Sequence, residues 1–176
     1  SETTFGSITE IDFSATPGES TFLDLIAHSV ERVVLNGTEL DASAYADSRF
    51  PLADLAEQNT VRVEATMDYS HTGEGLHRYV DPADGEVYLY SQFEVGDARR
   101  VFANFEQPDL KATYAFTITA PSAWRVFSNS PSPEPEPVRD GVAQWRFSET
   151  EKMSTYLTSI VAGPYDGVVG DMMNQA

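Results

Sequence analysis

Apolar and polar residues alternate along most of this chain, and the alternation predicts a series of short β-strands. The most regular stretch is 61–69, where Val, Val, Ala, Met and Tyr share one face and Arg, Glu, Thr and Asp share the other. Stretch 22–27 is more densely apolar, so we expect it to be buried on both faces. Shorter runs predict further strands over 10–13, 30–35, 38–40, 76–80, 86–93, 112–118, 124–129, 142–147 and 155–161.

Turn-forming residues separate these strands. Asn36-Gly37 predicts a type I′ hairpin, because both residues tolerate the positive φ angles that this turn requires. A second hairpin is predicted around the turn 81–85, which contains Pro82 and Gly85, and its returning strand ends near Gln92 and Glu94. Stretch 48–57 is predicted to be a loop with one helical turn.

One short helix is predicted over 98–105, with Asp97 as its N-cap and Pro108 just beyond its end. Stretch 130–137 has proline at every second position from 131 and is predicted to be a stiff, solvated loop that cannot join a sheet interior. The sum is an all-β fold, a saddle-like β-sandwich of mostly antiparallel strands with one short helix.

Composition and charge narrow the possible partners. The 176 residues suit one domain, and their net charge of −17 repels phosphate backbones and anionic lipid, so we expect neither nucleic-acid nor membrane binding. The alternative explanation of the negative charge is that it only keeps the protein soluble. No apolar run approaches the roughly 20 residues of a membrane helix. The chain has no cysteine and does not start with a signal peptide, and we predict a cytoplasmic protein.

Familiar catalytic motifs are absent from the sequence. It contains no H-E-x-x-H zinc motif, no G-x-S-x-G serine elbow and no phosphate-binding P-loop. His71 and His77 flank a glycine-containing turn, which makes a two-histidine metal site geometrically possible. No third ligand is evident, so we expect ordinary loop and strand histidines.

Four blocks of sequence in order resemble one known family. The run 91–113 is S-Q-F-E-V-G-D-A-R-R-V-F-A-N-F-E-Q-P-D-L-K-A-T, and the others are G-E-G-L-H-R at 73–78, W-R-V-F-S-N-S-P at 124–131 and M-S-T-Y-L-T-S-I-V-A-G at 153–163. Together they resemble the N-terminal domain of zinc metallo-aminopeptidases of the aminopeptidase N (alanyl aminopeptidase) family. The block at 73–78, followed by a D-x-x-D-G turn, is similar to the actinobacterial branch.

The resemblance implies a substrate-binding role for two residues. Glu94 matches the glutamate that binds the free α-amino group of a peptide substrate, and Gln92 matches the glutamine that lines the first-residue pocket. The family's G-A-M-E-N and H-E-x-x-H motifs do not occur in this chain. We therefore expect no catalytic residue and no metal ligand here, zinc in the catalytic domain of a longer enzyme, and a chain that is inactive alone.

The resemblance also predicts the domain boundaries and partners. Residues 1–165 are predicted to be the N-terminal β domain without its first strands, and 166–176 to begin a linker toward the zinc catalytic domain. The expected partners are peptide substrates and that catalytic domain.

The chain departs from the family's sequence pattern at two places, and two alternative functions remain. The chain has Ala103-Asn104 and Glu106-Gln107 where the family typically has Pro-Cys and Asp-Glu, from which we expect packing adjustments only. Either Arg99 or Arg100 is expected to pair with Asp97 or Glu106 as a structural contact. The alternatives are a non-catalytic β-sandwich module that binds sugars or protein partners, and a scaffold in which Glu94 is buried in an ion pair.

Overall fold

The computed structural model describes residues 1–166, which form thirteen β-strands and three single-turn 3-10 helices. The all-β prediction is confirmed. The 3-10 helices are Ala42–Ala44, Ala98–Arg100 and Thr155–Leu157. The strands are β1 (Thr4–Ser14), β2 (Thr21–Asp24), β3 (Ser29–Leu35), β4 (Thr38–Leu40), β5 (Arg49–Leu52), β6 (Gln58–Asp68), β7 (Gly75–Val80), β8 (Val87–Gln92), β9 (Thr117–Pro121), β10 (Arg125–Phe127), β11 (Glu136–Arg139), β12 (Val142–Arg146) and β13 (Val161–Gly163).

Every strand pairing among the described residues is antiparallel. The strands form two four-stranded sheets, in the orders β1-β6-β3-β4 and β10-β13-β8-β7. A three-stranded sheet has the order β11-β12-β9, and β2 pairs with β5 alone. The sheets therefore form two groups, and each group encloses its own apolar core.

The first core lies between sheet β1-β6-β3-β4 and the β2–β5 pair. The predicted face of β6 supplies its centre, since Val61, Val63, Ala65 and Met67 are all buried. Val33 and Leu35 of β3 and Phe50 and Leu52 of β5 complete it. The hairpin between β3 and β4 is as predicted, with positive φ at both residues of the turn, Asn36 and Gly37.

The second core lies between sheet β10-β13-β8-β7 and sheet β11-β12-β9. Its buried members include Leu89 of β8, Val126 of β10, Trp145 of β12 and Ala162 of β13. Phe5 of β1 packs partly buried against both cores.

Segment 93–104 connects the two cores. Phe93, Val101 and Phe102 are buried in the second core, and Ala103 is buried in the first. The backbone of Asn104 then pairs with Asp24 of β2 through two hydrogen bonds of 2.9 and 3.1 Å. The segment that carries the resemblance is therefore fixed at both ends by different halves of the domain.

The helix predicted over 98–105 is limited to the single 3-10 turn Ala98–Arg100. The chain beyond this turn leaves helical geometry because Asn104 forms a β-bridge with Asp24. Asp97 does not cap the turn through its side chain, which accepts a hydrogen bond from Arg100 instead. Tertiary pairing overrides local helix propensity here.

Several predicted strands are wrong in extent or type. The loop predicted over 48–57 contains β5, and the strand predicted over 112–118 is shifted to β9, Thr117–Pro121. The strand predicted over 155–161 is a 3-10 turn followed by β13. Stretch 22–27 is a strand only over Thr21–Asp24, and Phe22 is exposed, so burial on both faces is wrong for this strand.

The proline-rich stretch contributes to a sheet edge. Residues Glu136–Arg139 form β11, which pairs with β12 only, and Pro137 lies within it. An edge strand tolerates proline because one side needs no backbone donor. The predicted exclusion from the sheet interior is therefore confirmed, although the loop ends earlier than expected.

Most of the predicted linker, 166–176, lies outside the described residues. None of the helices in residues 1–166 is long and apolar enough to cross a membrane.

Candidate functional site

A tight hairpin between β7 and β8 places Gln92. The strands pair without a slip from Val80↔Val87 to Gly75↔Gln92, so the register is fixed by the turn between them. That turn is closed by Asp81 N–H donating to Glu86 O at 2.9 Å. The Tyr88 hydroxyl donates to Asp84 at 2.8 Å, and this bond is the main cause that raises the pKa of Tyr88 to about 12.

Gln92 and Glu94 form a local turn at the end of β8. The Glu94 N–H donates to Gln92 Oε1 at 2.5 Å, whereas Gln92 Nε2 makes a long contact of 3.5 Å with the Glu94 carbonyl. The peptide bond between Glu94 and Val95 is cis. Both side chains are exposed, and the Glu94 carboxylate takes part in none of the ion pairs or hydrogen bonds found within residues 1–166. The structure thus presents this carboxylate to solvent.

Phe93 anchors the turn from the inside. Its side chain is 2% exposed and lies in the second core, with its ring 6.1 Å from that of Phe102. Its carbonyl accepts hydrogen bonds from Gly96 N–H at 3.1 Å and Asp97 N–H at 3.2 Å. Glu94 therefore lies between a paired strand and a closed backbone turn, which fixes the position of its backbone.

Arg100 supports the turn from the side. Its Nε donates to Asp97 Oδ1 at 2.7 Å, which confirms the predicted structural pairing of one arginine with Asp97. Its stem lies against Gly75, where a Cβ atom would come within 2.9 Å of Arg100 Cβ. Because Gly75 pairs with Gln92, this contact couples the position of the arginine to the end of β8.

Arg99 contacts the other half of the domain. Its Nη1 lies 3.8 Å from Asp24 Oδ1, and its backbone N–H donates to Glu106 Oε2 at 2.7 Å. The Asp24 side chain is only 12% exposed and also accepts from Arg49 Nε at 3.4 Å. These contacts are structural and join segment 93–104 to β2 and β5.

Glu106 and Asp24 are supporting residues, of which Glu106 was expected as a partner of Arg99 or Arg100, whereas the sequence analysis did not identify Asp24. Glu106 accepts from the Thr155 hydroxyl at 2.6 Å as well as from the Arg99 backbone N–H, so its carboxylate is a structural acceptor at the position where the family typically has aspartate. Asp24 stands within the apolar run F-L-D-L-I, and a charged residue flanked by buried positions is the signal that could have identified it.

The histidines do not form a metal site with other residues. The rings of His71 and His77 are 6.3 Å apart, and His77 packs on Tyr90 at 4.8 Å between ring centres. Within residues 1–166, no three side chains of His, Cys, Asp or Glu come together in a way that could hold a metal ion. The described residues therefore do not fit a zinc ion, and zinc chemistry cannot be derived from them.

A cleft of about 340 Å³ lies behind the turn. Its lining includes Asp24, Arg49, Gly96, Arg99 and Glu106, but neither Gln92 nor Glu94. Because neither candidate residue lines it, the cleft is not part of the candidate site.

The fold and this turn define an all-β domain that exposes one carboxylate at a strand end and gathers no metal ligands within its described residues. Residues 41–157 match the Peptidase M1 N-terminal domain, and the chain belongs to that family.

Named relatives agree with this assignment. The chain is 52% identical over 168 residues to "Aminopeptidase N" of Streptomyces lividans, an alignment that covers 94% of this chain and 19% of the relative. It is 34% identical over 167 residues to "Aminopeptidase N" of Acetobacter pasteurianus, covering 88% of this chain and 46% of that protein. It is 29% identical to "Probable aminopeptidase 1" of Saccharolobus solfataricus, covering 84% of this chain and 20% of the relative.

The identity to the Streptomyces protein confirms the resemblance to the actinobacterial branch. The chain spans between about a fifth and a half of the length of these relatives, and in the Streptomyces protein the matched part is N-terminal.

Proposed function

We propose that this chain is the substrate-anchoring N-terminal domain of a zinc aminopeptidase that releases N-terminal amino acids from peptides. The zinc ion and the catalytic residues belong to a following domain, and the chain alone is inactive. The observation that carries the proposal is the exposed carboxylate of Glu94, held at the end of β8 without an ion-pair partner among residues 1–166. Membership of the M1 family supports it.

Glu94 binds the free ammonium group of the substrate. An exopeptidase must locate the end of a peptide, and a carboxylate at a fixed distance from the reacting bond does so by pairing with the terminal charge. The turn around Phe93 supplies the fixed position, since its backbone is hydrogen-bonded and its ring is buried. Neutral, N-acetylated peptides lack this charge and are expected to bind poorly.

Gln92 has two roles in this proposal. Its Oε1 accepts from the Glu94 backbone N–H and so helps to hold the turn. Its Nε2 makes only a long contact of 3.5 Å, at the limit of a hydrogen bond, and remains available to donate to the first residue of a substrate.

The scaffold alternative is less well supported, because it required Glu94 to be buried in an ion pair and the residue is exposed. A module that binds sugars or proteins remains the competing proposal for the chain. We also propose that residues 1–165 constitute the domain, that 166–176 begin the connection to the catalytic domain, and that the enzyme is cytoplasmic, which the absence of cysteine in this chain supports.

The test is a set of Glu94 variants in the full-length enzyme. A charge-assisted hydrogen bond contributes about 1.5–3 kcal/mol, so Glu94→Ala is expected to lower kcat/KM on alanyl substrates by on the order of 10- to 100-fold. Glu94→Gln tests the charge alone. Glu86→Ala is the matched control, since Glu86 is also exposed and adjoins the other end of β8. An unchanged kcat/KM for Glu94→Ala would refute the anchoring role.

A second measurement separates the enzyme domain from an independent binding module. Zinc content and hydrolysis of alanyl substrates are compared between this chain and the full-length protein. We expect both properties in the full-length protein and neither in the chain alone. Hydrolysis by the 176-residue chain would overturn the proposal.

A further inference from the structure

The cleft behind the turn combines apolar side chains with two arginines, Arg49 and Arg99. The apolar part of its lining consists of Phe22, Phe105, Pro108 and Leu110. Its volume of about 340 Å³ lies in the range of small-molecule sites, which pair an apolar lining with a few placed polar groups. The cleft therefore has the size and composition of a site for a small ligand with one polar and one apolar end.

Arg49 and Arg99 share one carboxylate oxygen without binding it closely. Arg49 Nε lies 3.4 Å from Asp24 Oδ1, and Arg99 Nη1 lies 3.8 Å from the same atom. Charge-assisted N–H···O bonds are normally about 2.7–2.9 Å long, and Arg100 reaches Asp97 at 2.7 Å in the same chain. Arg99 Nε is buried and has no hydrogen-bond partner among residues 1–166. The two guanidinium groups at the cleft therefore retain donors that no close acceptor uses.

The carboxylates of the cleft are better satisfied than its arginines. Glu106 Oε1 accepts from the Thr155 hydroxyl at 2.6 Å, and Glu106 Oε2 accepts from the Arg99 backbone N–H at 2.7 Å. Asp24 Oδ2 accepts from the Glu106 N–H at 3.4 Å. Donors of the protein itself thus occupy the acidic groups, so the cleft offers a ligand hydrogen-bond donors rather than acceptors.

Phe22 holds the Arg49 guanidinium in place. The Cζ atom of Arg49 lies over the Phe22 ring, 4.0 Å from its centre, in a cation–π contact. Stacking on a ring uses the face of the guanidinium and leaves its edge, which carries the N–H groups, able to donate. Phe22 is itself 39% exposed, so its ring offers an apolar surface beside the charged group.

We propose that this cleft binds a small carboxylate that carries an apolar group. The carboxylate accepts from Arg49 and Arg99, since the planar fork of a guanidinium matches the two oxygens of a carboxylate. The apolar group packs against Phe22 and Leu110, both of which are exposed in the cleft. Glu94 does not line the cleft, so the proposal does not depend on the role of Glu94 in substrate binding.

The charges of the cleft explain why the ligand needs an apolar part. Asp24 and Glu106 balance the two arginines, and the whole chain has a net charge of −17. A simple anion therefore gains little from the overall field of the protein. Burial of an apolar group adds affinity in proportion to the area removed from water. The cleft thus selects an apolar carboxylate over acetate or inorganic phosphate.

The test measures how fast single arginines of the full-length enzyme react with phenylglyoxal. Peptide mass spectrometry follows Arg49 and Arg146 separately, so a ligand bound elsewhere does not disturb the measurement. Arg146 is the matched control, because its side chain is 62% exposed and lies 3.2 Å from Glu136, compared with 56% and 3.4 Å for Arg49 and Asp24. We expect saturating isocaproate to slow the modification of Arg49 at least about 10-fold, with half-maximal protection on the order of 1 mM, and to leave Arg146 unchanged.

Two further probes and two variants test the chemical class of the ligand. Isocaproamide has the shape of isocaproate without its charge, and acetate has the charge without the apolar group. Each should protect Arg49 only at a concentration at least about 10-fold higher. Phe22→Ala should weaken protection by isocaproate to the level of acetate. Phe127→Ala changes an aromatic residue of similar exposure, 41%, on another sheet and should leave the protection intact.

Equal rates of Arg49 modification with and without isocaproate would overturn the proposal. Equal protection of Arg146 would also overturn it, because it would show a general effect of the solute. If acetate or inorganic phosphate protects as well as isocaproate, the cleft binds simple anions and the assignment to apolar carboxylates is wrong. Protection by isocaproamide at the same concentration as isocaproate would refute the role of the two arginines.

Discussion

Gly75 offers a stringent test of how the candidate site is supported. Its φ of +65° lies in the left-handed region, which costs a residue with a side chain about 1–2 kcal/mol. In Gly75→Ala the new Cβ would also lie 2.9 Å from Arg100 Cβ and 3.1 Å from Arg100 Cδ. The first of these atoms is close to the backbone and cannot move aside by a rotamer change.

The magnitude follows from the separate contributions. Overpacking of this kind costs about 1–3 kcal/mol, and the lower chain entropy of alanine in the unfolded state offsets about 0.4–1 kcal/mol. We therefore expect Gly75→Ala to lower the free energy of unfolding by about 2–3 kcal/mol. For a chain of this size, that corresponds to a decrease in Tm of roughly 5–10 °C. Thermal unfolding of this chain, followed by circular dichroism, measures it.

Two glycines separate backbone strain from contact. Gly37→Ala shares the positive φ, +81°, but has no heavy atom within 4 Å of the new Cβ, so only the strain of about 1–2 kcal/mol, less the same entropy offset, is expected. Gly6→Ala has neither positive φ nor a close atom, so only the entropy gain of about 0.4–1 kcal/mol applies and a slightly higher Tm is expected. If Gly75→Ala is no more destabilising than Gly37→Ala, the contact with Arg100 does not constrain the end of β8 and the reasoning is wrong.

Two further predictions concern stability. Asn59 is 3% exposed, and its side-chain amide forms hydrogen bonds with both the N–H and the carbonyl of Ala56. Asn59→Ala is therefore expected to lower the free energy of unfolding, measured in urea, by about 2 kcal/mol, whereas Gln58→Ala, at an exposed position, should change it little. Equal losses for the two variants would contradict this reasoning. Burial, with a smaller effect of Glu106, raises the pKa of Tyr114 to about 12. The folded protein therefore favours the neutral phenol, and this contribution to stability is fully present below about pH 10, the unfolded pKa, and is lost as pH rises toward 12. Tyr114→Phe should reduce the loss of stability over this pH range. An unchanged dependence of Tm on pH in this variant would refute the assignment of the loss to Tyr114.

The alternation of apolar and polar residues predicted those strands whose buried face can be recognised from their own sequence. β6 has four buried apolar residues at alternate positions, and its face could be identified without knowing what packs on it. The same holds for the Asn36-Gly37 hairpin, because the turn depends only on its own φ angles. These elements are local, and local patterns were sufficient for them.

Elements that depend on distant residues were not predicted. Stretch 155–161 is rich in β-branched residues, but the Thr155 hydroxyl donates to Glu106, 49 residues away in sequence, and the stretch begins with a 3-10 turn. A partner so far away in sequence is not visible in a local pattern. The same reason explains why Asp24 was missed, since its partners Arg49 and Arg99 lie on other elements.

The candidate site itself could not be predicted from periodicity, because an exposed glutamate at a strand end is common. The resemblance of 91–113 identified Glu94 as a candidate, and the structure adds the reason why the backbone that carries this residue is held in place. Phe93 is buried in the core on one side, whereas Ala103 is buried in the other core and Asn104 pairs with β2. A shift of either core would therefore strain segment 93–104 and move the turn. Ala103 and Asn104, which stand where the family typically has Pro-Cys, fit this arrangement, since both are buried and the side-chain amide of Asn104 donates to the Phe102 carbonyl at 3.0 Å. In the proposed function Glu94 must lie at a fixed distance from another domain, and segment 93–104 supports its backbone from both cores.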